Sequence, residues 1–143
     1  MYKTSVFPFV FIPTSLKIKS RKTMNGLDVS GELMVLSNYI YEYKKGVRPL
    51  VLYTMNKSYE LVATNKLRNQ GIPYFLQDVG SGAINIYFGN QSCLDTIAMI
   101  VGKPLSKLTP EEDFILGALL GYDLRMQCER FCTRKTKANA MVI

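Results

Sequence analysis

Apolar residues recur with a helical period in several stretches from residue 34 onward. In the segment "VLSNYIYEYKKG", Leu36, Tyr39, Ile40 and Tyr43 stand at i, i+3, i+4 and i+7, the spacing of one helical face. The pattern predicts a helix that ends at Gly46. A strand is the alternative, because tyrosines also occupy every second position of this stretch.

Two β-rich stretches follow the first helix. The run "PLVLYT" predicts a strand, and after it Leu61, Val62 and Leu67 form the apolar face of a second helix that Gly71 closes. The segment "IPYFLQDVGSGAINIYFG" then predicts strand, turn and strand, with a hairpin at residues 80–82. This glycine turn opens onto a strand and not onto a helix, so a phosphate-binding loop is disfavoured.

The remaining periodic segments predict two more helices. One starts at Ser92 and ends at Gly102. The other opens with the capping box from Thr109 to Glu112, with proline at its first position, and is predicted to run to about Arg134.

The predicted order α-β-α-β-β-α-α limits the fold to few arrangements. A right-handed crossover makes the first two strands parallel, and the hairpin places the third strand between them. We therefore predict an α+β fold of two layers, in which a small three-stranded mixed sheet (split β-α-β) packs with four to five helices. Three strands leave exposed edges and one uncovered face, which a helix or a second subunit is expected to cover.

Residues 1–33 lack this periodicity and are predicted to form a poorly packed N-terminal extension. Gly31-Glu32 can be encoded by a sequence that resembles a bacterial ribosome-binding site, which suggests that translation starts at Met34. Residues 34–134 are then a single domain, and residues 135–143 a basic flexible tail.

Composition excludes several classes of function. The chain has no histidine, which removes histidine-dependent triads and histidine zinc sites. No stretch approaches the roughly 20 apolar residues of a membrane span, and positive charge follows the first apolar run, unlike in an export signal. Three cysteines make no disulfide framework, so we predict a cytoplasmic protein with free thiols.

The net charge of +7 comes from the two ends of the chain. Residues 34–129 carry nine basic and nine acidic side chains, so nucleic-acid binding is not expected as the main role. Lys44, Lys45 and Arg48 are the only basic cluster in this balanced body, and they are the candidate residues for partner binding.

Two glycines, Gly117 and Gly121, fall four residues apart in the last predicted helix. Such a stripe lets another backbone approach closely. The approaching backbone belongs either to this chain's own sheet or helices or to a second subunit in a dimer, and both interpretations stay open.

Cys128 and Cys132 also lie one turn apart on that helix. They are interpreted as small packed apolar residues, with redox sensitivity and metal binding as alternatives. Two thiols supply only half of a tetrahedral metal site, so they are weak metal candidates. The acidic residues at the helix start, Glu111, Glu112 and Asp113, are explained by the helix dipole rather than by acid-base catalysis.

A resemblance extends over about residues 34–134. The segments "LTPEEDFILGALLGYDLRMQCER", "NYIYEYKKGVRPLVLYTM" and "GIPYFLQDVG" resemble a family of short bacterial proteins classified as a domain of unknown function and known from anaerobes, including relatives of Bacteroides. The resemblance implies a homodimer of two-layer α+β fold with genes often near flavodoxin genes, and it supplies no established catalytic residues to carry over.

These observations together predict a cytoplasmic homodimer that acts as a binding or accessory protein. Its expected partner is an acidic flavodoxin-like electron carrier, and no cofactor, metal or membrane is expected. An enzyme is not favoured. The alternative is a redox- or metal-responsive protein that uses Cys128 and Cys132.

Overall fold

The computed structural model of the protein describes residues 31–141 and has five helices and three strands in that range. The elements are α1 (Gly31–Lys44), β1 (Leu50–Asn56), α2 (Glu60–Asn69), β2 (Tyr74–Gly80), β3 (Ala83–Gly89), α3 (Gln91–Ala98), α4 (Pro110–Leu119) and α5 (Leu124–Met141). Two 3-10 turns, Lys57–Tyr59 and Leu105–Lys107, precede α2 and α4. For the first periodic segment, the helix is therefore confirmed over the strand.

The three strands form one sheet in the order β1-β3-β2. The α+β class and the central position of the third strand are confirmed. The sheet differs from the prediction in being antiparallel throughout, since β3 pairs antiparallel with both neighbours. The two parallel strands, β1 and β2, are the outer ones and do not pair with each other.

The predicted hairpin joins β2 to β3 through Gly80, Ser81 and Gly82. All three residues have positive φ, at 76°, 56° and 76°. Glycine adopts this left-handed region without steric cost, which is why the turn carries glycine at two of the three positions.

Helices cover both faces of the sheet. Side chains alternate along β1, so that Leu50 faces one apolar core and Val51 the other. The first core lies under α1 and α2, and the second lies under α3 and α4. The prediction of two layers with one uncovered face is corrected to three layers, because the last third of the chain supplies the second covering layer.

A row of polar side chains crosses the sheet where register partners meet. Thr54 and Gln77 both stand opposite Asn85, which is 1% exposed on the central strand. Thr54 Oγ1 donates to Asn85 Oδ1 at 2.5 Å, and Asn85 Nδ2 donates to Gln77 Oε1 at 3.0 Å. The Tyr87 hydroxyl also donates to Gln77 Oε1, at 2.9 Å. These bonds satisfy Asn85 inside the sheet, where an unpaired amide would be costly.

The predicted single helix from Thr109 to about Arg134 is wrong, because the chain breaks it into α4 and α5. Gly121 has φ 80°, and the N–H of Tyr122 bonds to the carbonyl of Gly117 at 3.2 Å, which closes α4 with a Schellman motif. Asp123 then caps α5, because its Oδ1 accepts from Met126 N at 3.0 Å.

At both ends of the described range, a helix extends beyond the predicted domain of residues 34–134. α1 begins at Gly31, and Glu32 Oε2 accepts from Asn56 N at 3.1 Å, so residues 31–33 belong to the fold. The tail predicted to be flexible continues α5 as far as Met141. The remaining residues of the predicted extension and tail, 1–30 and 142–143, lie outside the described residues. None of the helices in residues 31–141 has the length and apolar composition of a membrane span.

Candidate functional site: a basic groove between two helices

α1 and α2 lie side by side on one face of the sheet and enclose an open groove between them. Lys66 Nζ donates to Ser37 Oγ at 2.9 Å, and Lys44 Nζ donates to Gln70 Oε1 at 3.2 Å. These contacts follow the same order on both helices, so α1 and α2 run parallel. The groove has a volume of about 410 Å³, which is in the range of ligand-binding clefts.

Three lysines line this groove together with one exposed aromatic ring. Lys44 and Lys45 come from the end of α1, and Lys66 comes from α2. The ammonium group of Lys45 lies 5.5 Å from the ring centroid of Tyr41, a cation-π distance. The groove's lining, which also includes Ser37, Ile40 and Gln70, contains no acidic residue, so its charge is uncompensated.

Two of the three predicted partner-binding residues lie in this groove, and the third does not. Arg48 Nε pairs with Glu42 Oε2 at 2.8 Å, and its guanidinium lies 5.2 Å from the ring centroid of Tyr39. Arg48 is therefore committed to contacts within the chain, whereas Lys44 and Lys45 stay exposed.

Sequence reasoning missed Lys66 and Tyr41 as members of the same site. Lys66 belongs to α2, and the sequence does not show that the side of α2 carrying Lys66 faces α1. Tyr41 stands on the same helix as Lys44 and Lys45, but it lies outside the apolar face that the periodicity predicts. A search for aromatic residues one turn from the lysines would have found Tyr41.

The two helical cysteines do not pack into a core of this chain. Cys128 and Cys132 are both exposed on α5, whereas Cys93 is half-buried against the second core. Within one chain, Cys128 and Cys132 are therefore not packed apolar residues, because α5 contacts α4 through another of its faces. Residues 31–141 hold no group of three or more histidine, cysteine, aspartate or glutamate side chains placed to bind a metal ion.

The predicted glycine stripe does not exist as one helical face. Gly121 lies beyond the end of α4, where its positive φ terminates the helix. Gly117 lies inside α4 against Gln127 of α5, and a Cβ placed on Gly117 would approach Gln127 Oε1 to 2.1 Å. Gly117 thus allows α5 to lie close to α4 within one chain.

One of the acidic residues in the first turn of α4, Glu112, helps to cap the helix. Thr109 Oγ1 accepts from Glu112 N at 3.2 Å, and Glu112 Oε1 accepts from Thr109 N at 2.9 Å, which confirms the capping box. A hydrogen bond from Lys103 holds the pKa of Glu112 below its ordinary value of 4.5, and one from Lys135 similarly lowers the pKa of Glu111. Asp113 is different, because it is buried and forms an ion pair with α5.

Comparisons with known proteins place the chain in a family without assigning it an activity. A comparison with the curated proteins finds no match to this chain. Residues 34–134 match the model of one family, whose description is "Protein of unknown function (DUF2023)". This match includes α2 and all three strands of the sheet, and it covers more than half of the chain. The chain therefore belongs to the DUF2023 family of proteins of unknown function.

Proposed function

We propose that this protein is a non-enzymatic binding module that docks an acidic protein partner on the groove between α1 and α2. The observation that carries the proposal is the convergence of Lys44, Lys45 and Lys66 on one open groove whose lining has no acidic side chain. Exposed charge of one sign speeds the encounter with a partner of opposite charge and orients it. A flavodoxin-like electron carrier is the proposed partner, because such carriers are acidic and the family resemblance implies gene proximity.

The experiment is a titration of the full chain with a purified acidic flavodoxin-like protein. The double variant Lys44→Glu/Lys45→Glu should weaken binding by roughly tenfold or more, since it replaces attraction with repulsion. The matched control is Lys107→Glu/Lys137→Glu, which changes the net charge equally at two exposed positions outside the groove. If both double variants weaken binding equally, the effect comes from net charge alone, and the groove is not the docking site.

The proposal includes a cytoplasmic homodimer. Support comes from exposed apolar side chains on the two C-terminal helices, Ile115 on α4 and Leu124 and Met126 on α5, which a second copy would cover. Light scattering at micromolar concentration should give the mass of a dimer, and Leu124→Arg should lower it. A monomeric mass for the unaltered chain contradicts this part of the proposal.

The second candidate function is a redox-responsive protein, and the exposure of Cys128 and Cys132 favours it. Cysteines one helical turn apart meet disulfide geometry only with distortion, so a disulfide between two chains is the expected product. Two thiols would give up two protons and two electrons to hydrogen peroxide, which is reduced to water. Mild peroxide should therefore produce a cross-linked dimer that Cys128→Ser/Cys132→Ser cannot form.

Metal binding by the same cysteines would need ligands from a second copy, because residues 31–141 offer no cluster of three ligands. Elemental analysis of the purified protein tests this version. If this version is correct, the purified protein should contain about half a metal ion per chain, and Cys128→Ser/Cys132→Ser should contain none.

A further inference from the structure

The groove between α1 and α2 is basic at one end and borders an exposed apolar surface at the other, and this difference specifies its occupant. We propose that it binds an acidic amphipathic helix of about three turns, which lies antiparallel to α1 and α2 with its carboxylates at Lys44 and Lys45. The inference rests on the proposed function, since it names the segment by which an acidic partner would dock.

An exposed apolar surface borders the groove beyond its Ser37 end, outside the groove's own lining. Met34 lies one turn before Ser37 on α1, and Val62 lies one turn before Lys66 on α2, so both extend the helix sides that meet at the Ser37–Lys66 contact. Their side chains are 47% and 51% exposed. A partner's apolar side chain would remove this surface from water.

The other end is basic and lies at the C-termini of both helices. Lys44 ends α1, and Gln70 follows the last residue of α2. The backbone N–H groups of the last turn of a helix are already bonded within the helix, so this end lacks the free backbone donors that hold phosphate groups. Recognition falls to the lysine side chains, which suit the carboxylates of a protein segment.

The helix dipoles fix the direction of the occupant. The C-termini of α1 and α2 carry partial negative charge, so the positive N-terminus of a docked helix is favoured beside them. Acidic residues are themselves preferred in the first turn of a helix. An antiparallel helix therefore brings acidic residues to Lys44 and Lys45 and apolar residues to Met34 and Val62.

The length of the groove together with the apolar surface that borders it agrees with a short helix. The ten residue steps from Met34 to Lys44 span about 15 Å at a rise of about 1.5 Å per residue. A groove between two packed helices accepts the side-chain ridge of a third helix. Residues 1–30 of this chain are a poorer occupant, because they carry five basic side chains and one acidic side chain.

The test uses a fluorescein-labelled peptide of about three helical turns. It carries glutamates in its first turn, and leucines one turn apart in its later turns on the same face. A second peptide has these two blocks in reverse order, and a third has lysines in place of the glutamates. Fluorescence anisotropy with the full chain should show the tightest binding for the first peptide and none for the third.

Variants of the chain locate the bound peptide. Lys44→Glu/Lys45→Glu should weaken binding by roughly tenfold or more, and Val62→Ser should weaken it by a factor of about three to ten. Lys107→Glu/Lys137→Glu and Met99→Ser serve as controls at exposed positions outside the groove and should change little. Circular dichroism shows whether each variant is folded.

The outcomes separate this inference from the proposed function. If the flavodoxin-like protein binds through Lys44 and Lys45 while none of the peptides binds at millimolar concentration, the docking function stands and the helical segment is overturned. If the first peptide binds and Val62→Ser weakens it, the segment is supported even where that carrier protein fails to bind. The proposed occupant is overturned if the peptides bind equally tightly in both block orders and Val62→Ser does not weaken their binding.

Discussion

The guanidinium of Arg130 holds both carboxylate oxygens of Asp113. Nε lies 2.7 Å from Oδ2, and Nη2 lies 3.1 Å from Oδ1. The two side chains are only 8% and 3% exposed, and Arg134 adds a second contact to Asp113 at 3.1 Å. This ion pair attaches α5 to α4, and the Phe114 ring packs edge-on against Phe131 beside it.

Asp113→Ala should lower the free energy of unfolding by about 3–5 kcal/mol, because it removes the buried carboxylate that two nitrogens of the Arg130 guanidinium contact. Urea denaturation followed by circular dichroism measures the loss. Glu129→Ala is the matched control, since Glu129 pairs with Arg125 at 3.5 Å on the exposed side of α5 and should cost less than about 1 kcal/mol. Similar losses in the two variants would show that the buried pair is no stronger than a surface pair.

The contact between Gly117 and Gln127 predicts a coupling between two substitutions. Gly117→Ala gains about 1 kcal/mol of helix propensity but places a Cβ on the buried Gln127 side chain, so it should be neutral or destabilising in the native background. In a Gln127→Ala background the obstruction is gone, and the same substitution should become stabilising. A double-mutant cycle by urea denaturation gives the coupling, and additive effects would contradict the close approach.

The capping glutamate predicts part of the acid sensitivity of the fold. Because the pKa of Glu112 is lowered in the folded state, chiefly by the hydrogen bond from Lys103, the unfolded chain binds this proton more tightly. Its stabilisation is present above the ordinary pKa of 4.5 and is lost as the pH falls through the lowered value. Glu112→Gln and Lys103→Gln should both flatten the decline of melting temperature between neutral pH and about pH 2. An unchanged decline in both variants would contradict this contribution.

The exposure of Cys132 predicts that its side chain contributes little to stability. Cys132→Ala should change the free energy of unfolding by less than about 0.5 kcal/mol under reducing conditions. Cys93→Ala is the comparison, because Cys93 is half-buried against the second core and should cost on the order of 1 kcal/mol. A larger loss for Cys132 than for Cys93 would indicate that α5 is covered in solution.

Features that depend on neighbouring residues were predictable from the sequence. The capping box at Thr109 and the glycine hairpin after β2 are encoded within four residues, and the position of β3 follows from rules of chain connection. The break at Gly121 was missed because one glycine inside a helical pattern is ambiguous. Asp123, two residues later, caps the next helix. A glycine followed closely by a capping residue is the pattern that indicates the break.

Features that depend on tertiary contacts were not predictable in the same way. Lys66 joins Lys44 in one groove only because α2 packs parallel to α1. Cys128 and Cys132 are exposed because α5 binds α4 mainly through a face that carries Gln127, Arg130 and Arg134. A helix attached by ion pairs leaves its apolar residues without the burial that periodicity would suggest.

The central position of β3 also constrains how the chain acquires its structure during synthesis. β1 leaves the ribosome before α2 and β2, but its hydrogen-bonding partner is the last strand to be made. Both apolar cores contain residues of β3, so neither can be completed on a nascent chain that ends within β2. The growing polypeptide therefore exposes the apolar side chains of β1 until the hairpin emerges, and this interval is when it is most open to aggregation or to capture by chaperones.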